Sequence, residues 1–133
     1  MKRSLLREHI FILVFMSEFN SVDEMPEKMR LYFESLEEPA DDASEEYIEV
    51  KFKNILEKLP ELDEKINEKA EGWTTSRMGK VELALIRLAA YEIFDDEDVP
   101  TSVAINEAVE LAKKYGQDSA PSFVNGVLAK LVG

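Results

Sequence analysis

Val103-Ala104-Ile105-Asn106-Glu107-Ala108-Val109-Glu110-Leu111-Ala112-Lys113-Lys114-Tyr115-Gly116, followed after a short polar break by Phe123-Val124-Asn125-Gly126-Val127-Leu128, is the stretch that decides the fold class. Apolar residues fall at 105, 108, 109, 111, 112 and 115, which is helical spacing, and Gly116 is suited to the left-handed conformation that ends many helices. Asp118 or Ser119 can cap the helix that follows, with Pro121 in its first turn, where the missing N–H costs little. The pattern predicts two helices joined by a tight turn.

Upstream, residues 77–94 are apolar nearly all round, which marks a buried central helix, and Asp95-Asp96-Glu97-Asp98 ends it before Pro100-Thr101-Ser102 restarts the chain. Farther back, Ile48, Phe52, Ile55, Leu56 and Leu59 keep helical spacing over 45–59, with Glu49 placed to pair with Lys53. Pro60 is expected to open a new helix to about residue 70, with Leu62 and Ile66 inward, before a turn over 72–76 around the single tryptophan. Residues 37–44 read as a polar linker, and 20–23 as a break and cap before a helix carrying Met29, Leu31, Tyr32, Phe33 and Leu36. The first helix, over 4–19, is too apolar for a one-sided surface helix. The expectation is one domain over 1–133, all-α, a compact bundle of about seven helices.

Composition supports that class and removes others. A chain of 133 residues is long enough for a single core; 45% apolar residues with ten Gly plus Pro fit a helix-rich domain and oppose disorder. With no cysteine and one histidine, disulfides, structural zinc and cysteine nucleophiles are excluded, and a reducing, cytoplasmic setting is permitted. The longest apolar run, 10–16, is far short of the roughly 20 residues that cross a bilayer. Lys2, Arg3 and Arg7 ahead of that run invite a signal-peptide reading, which Glu8, Glu18 and the lack of a small-residue cleavage site oppose. No membrane contact is expected.

Little in the chain suits catalysis, which needs a nucleophile, a tuned acid or base, or a metal. Asp41-Asp42 and residues 95–98 lack the alternating ligands and central glycine of a calcium loop. No cofactor is expected. His9, mid-helix and without a spaced ligand partner, is read mainly as packing, with a pH-sensitive or RNA-adjacent role as the alternative. Arg87 and Glu92, on the most apolar helix, are read as structural, with Arg87 placed to hold Glu107.

The formal charge of −12 opposes broad nucleic-acid binding, yet its distribution is uneven: residues 21–50 carry eleven acids against Lys28 and Arg30, while Lys2, Arg3 and Arg7 sit together at the start. Arg7 lies one helical turn past Arg3, so the two can track adjacent phosphates. Any RNA contact is therefore expected near the N-terminus, with the acidic middle facing elsewhere.

Trp73-Thr74-Thr75-Ser76-Arg77, Val81-Glu82, Ile86-Arg87-Leu88-Ala89-Ala90-Tyr91-Glu92-Ile93, Val99-Pro100 and the run from Ile105 to Lys113 follow in an order and spacing that resemble the NusB transcription antitermination family. The resemblance is specific from Trp73 onward; before that it rests on the basic start and on helical character. It implies a fold of two helical sub-bundles sharing a long first helix and a central one. It implies an adaptor that pairs with the ribosomal protein NusE and binds boxA-containing leader RNA, so that RNA polymerase, with other Nus factors, resists termination on ribosomal RNA operons.

The resemblance also assigns residues. The basic start, Lys2, Arg3 and Arg7, would contact RNA, with Phe15 standing where relatives have a tyrosine and Ser4, Leu5 and Leu6 occupying positions that are often arginine. Gln117, Ser119, Ser122 and Phe123 fall where the family's last turn and helix approach RNA, Ser122 replacing a lysine seen in some relatives. Phe123 is read equally as a stacking ring and as core. Glu82 matches the position that meets NusE. Two further readings stay open: an RNA-positioning domain like those fused to ribosomal RNA cytosine methyltransferases, and a protein-interaction bundle without RNA recognition. A homodimer through Phe11, Ile12 and Met16 is a further possibility.

Overall fold

The computed structural model describes residues 1–133 as six α-helices and one 3₁₀ turn, with no strand. They are α1 (Arg3–Ser17), α2 (Met25–Ser35), α3 (Asp42–Lys69), α4 (Lys80–Asp95), α5 (Thr101–Tyr115) and α6 (Ala120–Val132), the 3₁₀ turn being Thr75–Arg77. The all-α class is as expected. The count is six because Pro60 lies inside α3 and does not start a new helix. A proline within a helix costs about 3 kcal/mol through its missing N–H and its clash with the carbonyl four residues back. Ile55 before it and Leu62 and Ile66 after it are fully buried, each contributing roughly 1.5–3 kcal/mol. Packing on both sides therefore exceeds the cost, and the helix continues.

Contacts divide the chain into two units, Met1–Leu56 and Glu57–Gly133, so α3 runs through both. The boundary falls at Leu56, whose carbonyl Pro60 leaves without its helical partner.

In the first unit, α1 buries Ile10, Phe11, Leu13 and Val14, α2 buries Met25 and Met29, and the first half of α3 buries Ile48, Phe52 and Ile55. A reciprocal cap precedes α2: the Ser21 N–H donates to Glu24 Oε1 at 2.8 Å and the Glu24 N–H to Ser21 Oγ at 3.2 Å. Asp41 opens α3, its Oδ1 accepting from the Ser44 N–H at 2.7 Å, which makes it a helix cap and not a linker residue.

In the second unit, α4, α5 and α6 pack on one another. Small residues let their backbones approach: Ala84, Ala89 and Ala90 on α4, Ala104, Ala108 and Ala112 on α5, and Ala120 on α6 are all buried. The buried face of α5 runs through 104, 108, 111 and 112, so Ile105 and Val109 are only half-buried and Tyr115 is exposed, although all three fit the apolar pattern. Gly116 is extended, at φ −96° and ψ 177°, and not left-handed. Its reason is space: a Cβ there would lie 2.5 Å from Ala120 Cβ and 2.9 Å from the Ala112 carbonyl oxygen. The left-handed exit belongs to the end of α3, where Glu71 takes φ +38° and Gly72 φ +86°.

Arg87 holds a carboxylate, and its two-pronged contact goes to Asp63 of α3, a partner the sequence spacing did not suggest. Nε donates to Asp63 Oδ1 at 2.9 Å, and the second prong meets Oδ2 at 2.7 Å. Lys65 of α3 lies 4.5 Å from the Phe94 ring centroid on α4, a second tie between the same helices. No buried side-chain nitrogen or oxygen lacks a hydrogen-bond partner.

Candidate nucleic-acid interface

The basic start lies in the first unit. Lys2 flanks α1 and Arg3 begins it, both exposed; no side chain caps this end and no acid occupies the first turn. Positive side chains therefore stand at the positive end of the helix dipole, an arrangement unfavourable for α1 and favourable for an incoming anion. Arg7 is only 7% exposed, so the two arginines do not form the open pair that their spacing suggested.

Phe15 is half-buried, packed edge to face with Phe19 at 5.1 Å and tilted on Phe11 at 6.4 Å. Phe11 is buried; Ile12 and Met16 are half-buried, and Phe19, in the turn just past the end of α1, is exposed. His9 is buried as packing requires, with Nδ1 2.5 Å from the Tyr32 hydroxyl of α2 and the two rings in edge contact. Burial lowers its pKa from the ordinary 6.5, against the opposing fields of Glu8 and Glu38.

The remaining candidates lie in the second unit, and there the chain gathers most of them. A hollow of about 480 Å³ is lined by Trp73, Arg77, Met78, Gly79, Glu82, Ser119, Ser122 and Phe123. Its walls are the turn after α3 and the first turns of α4 and α6. The left-handed exit through Glu71 and Gly72 throws Trp73 outward, and Asn67 Oδ1 accepts from the Thr75 N–H at 2.7 Å to hold the turn. The Trp73 and Phe123 rings meet edge to face at 5.2 Å, and the Arg77 guanidinium lies 5.6 Å from the Trp73 centroid while Nη1 donates to the Gly72 carbonyl at 3.3 Å.

Phe123 is thus half-buried by Trp73 and opens on the hollow, intermediate between the two readings of it. The Ser122 hydroxyl donates to the Ser119 carbonyl at 3.2 Å. Glu82 folds its carboxylate back over Gly79, whose missing Cβ would lie 2.5 Å from Oε2. Gln117 is exposed in the turn before α6 and does not line the hollow.

Sequence reasoning named Ser119, Ser122, Phe123 and Glu82 but missed Trp73 and Arg77 as site residues. The signal available was the lone tryptophan in a turn, a polar-flanked position from which a large ring has no helical face to enter the core.

Fold and site together define an all-helical protein whose candidate surface is made of rings, hydroxyls and single charges; no group of three or more acidic, histidine or cysteine side chains is placed to hold a metal. The NusB family model matches residues 4–132, and the chain belongs to the NusB family. It is 52% identical over 130 residues to a protein of Agathobacter rectalis named Transcription antitermination protein NusB, the match covering 98% of each chain. A protein of the same name from Lachnoclostridium phytofermentans is 49% identical over 132 residues, covering 99% of each. Among solved structures, T. maritima NusB superposes with a TM-score of 0.85 at 31% identity, over 98% of this chain and 90% of that one. No helix is long and apolar enough to cross a membrane.

Proposed function

We propose that this protein is a non-catalytic, cytoplasmic transcription antitermination adaptor that pairs with NusE and binds boxA-containing leader RNA, helping RNA polymerase resist termination on ribosomal RNA operons. The observation that carries this reading is near-complete alignment, at about half identity, with proteins named for antitermination. The action is tethering, and no bond is made or broken.

The chemistry of the two regions supports it. Exposed Lys2 and Arg3 at the uncapped start of α1 suit phosphate oxygens, while the hollow carrying Phe123, Ser119 and Ser122 suits an unstacked base. Only Lys2 and Arg3 of the basic start are open, and the chain carries twelve more negative than positive charges, so RNA affinity is weak for the chain alone and stronger with NusE. Glu82 on the rim of the hollow offers an acid to a basic ribosomal protein.

The test is fluorescence anisotropy with boxA-like and scrambled RNA oligomers, over a salt series, with and without purified NusE. Selective binding that tightens with NusE and weakens on Arg3→Ala supports the adaptor. If the RNA binds without selectivity even with NusE present, a protein-interaction bundle is the better description.

A further inference from the structure

From the hollow between the turn after α3 and the starts of α4 and α6, we infer that Trp73 and Arg77 form its recognition wall for one unpaired RNA base, Trp73 as the stacking surface and Arg77 as the residue that positions it. The inference rests on the RNA-binding reading above and adds to it two residues and the chemical part of the ligand that they take.

Four observations point to a neutral, flat, partly polar group. The volume of about 480 Å³ falls in the range of small-ligand sites, roughly 300–1,000 Å³. Its charged lining is one guanidinium and one carboxylate, Arg77 and Glu82, so a phosphate entering it gains from one and is repelled by the other. Two rings, Trp73 and Phe123, stand edge to face in its wall, and Trp73 remains 46% exposed, a large apolar surface left open beside serine hydroxyls. A base offers what this lining lacks: a π-face for the open ring and edge donors and acceptors for Ser119 and Ser122.

The Arg77 guanidinium is committed to the Trp73 face and the Gly72 carbonyl. Its role is therefore to fix the ring's angle. It acts as a positioning residue.

Trp73 is the only tryptophan in the chain, so its emission reads the hollow directly. The full chain with NusE is titrated with a boxA-like oligomer while anisotropy of the labelled RNA and tryptophan emission are recorded together, Trp73→Phe serving as the blank for any emission from NusE. Quenching of Trp73 in step with anisotropy is expected. Trp73→Ala is expected to weaken binding roughly 5- to 150-fold, the span of one lost base stack, with the salt dependence unchanged and with Trp73→Phe restoring most of the affinity.

Arg77→Leu is expected to weaken binding with little change in salt slope, whereas a phosphate contact would reduce that slope by about one. Selective RNA binding with unmoved emission and unchanged affinity in Trp73→Ala overturns the base site and leaves the adaptor reading intact. Emission that responds to NusE alone, with no further change on RNA, makes the hollow a protein-facing surface and also overturns it. Absence of RNA binding even with NusE removes both readings together.

Discussion

The first unit carries seven basic and thirteen acidic residues and the second nine and fifteen, so each has the same excess of six negative charges, and the contrast between them lies beneath the surface. The second unit buries 21 apolar side chains, among them eight alanines, while the first buries nine and no alanine. Four of the six buried polar side chains, Arg7, His9, Ser44 and Lys51, belong to the first unit. Small apolar residues bring helices close and gain dispersion from density; buried polar groups keep their hydrogen bonds but carry a desolvation cost that changes with protonation. The second unit is therefore expected to be the more sensitive to added volume, and the first to carry the pH response of His9.

The largest effect that could break this contrast is expected at the Arg87–Asp63 pair, whose arginine is buried in the second unit. Asp63→Ala leaves Arg87 without its bidentate partner and is expected to destabilise by about 3 kcal/mol, the low end for a broken buried pair because the Asp63 side chain is a quarter exposed. Urea unfolding followed by circular dichroism measures it. A loss below 1 kcal/mol would mean that the alanine-lined packing alone holds this unit.

Two glycines sharpen the sensitivity to volume. Gly116→Ala forces a Cβ against Ala120 and the Ala112 carbonyl and is expected to cost about 1–3 kcal/mol, whereas Gly126→Ala, inside α6 with nothing within 4 Å of the added atom, is expected to stabilise by about 0.5–1 kcal/mol. The same substitution should move the thermal midpoint in opposite directions at the two sites.

The smallest effect tests the first unit. Because burial holds the His9 pKa below the ordinary 6.5, the unfolded chain binds the proton first, and stability from this residue is complete above 6.5 and declines as pH falls below it. The urea midpoint is expected to drop between pH 7.5 and 5.5, and His9→Gln to flatten that part of the profile. An unchanged slope in the variant would assign the pH response to other groups.

Elements with strong periodicity were readable from sequence, and those decided by competition were not. The hairpin of α5 and α6 and the buried α4 follow from spacing, yet Pro60 signalled a helix start, and only the burial of Ile55, Leu62 and Ile66 on both sides overrides that local signal. Gly116 was readable as necessary but for the wrong reason, since steric room between helices leaves no mark in one sequence. The Asp63 partner of Arg87 lies 24 residues away on a different helix, beyond any spacing rule. In the candidate site, Ser119, Ser122, Phe123 and Glu82 were named through family resemblance; the meeting of the first three with Trp73 and Arg77, more than 40 residues earlier, depends on the left-handed exit after α3.

The alanines on α4, α5 and α6 also set the direction in which this sequence can drift. Truncating a buried leucine costs about 2–5 kcal/mol because its surroundings relax only in part, whereas a buried alanine leaves little to remove and its close-packed surroundings leave little space to add. Positions 104, 108, 112 and 120 are thus expected to accept glycine more readily than valine or leucine, so that diversity in this half of the molecule accumulates in its outward-facing residues while its centre stays small.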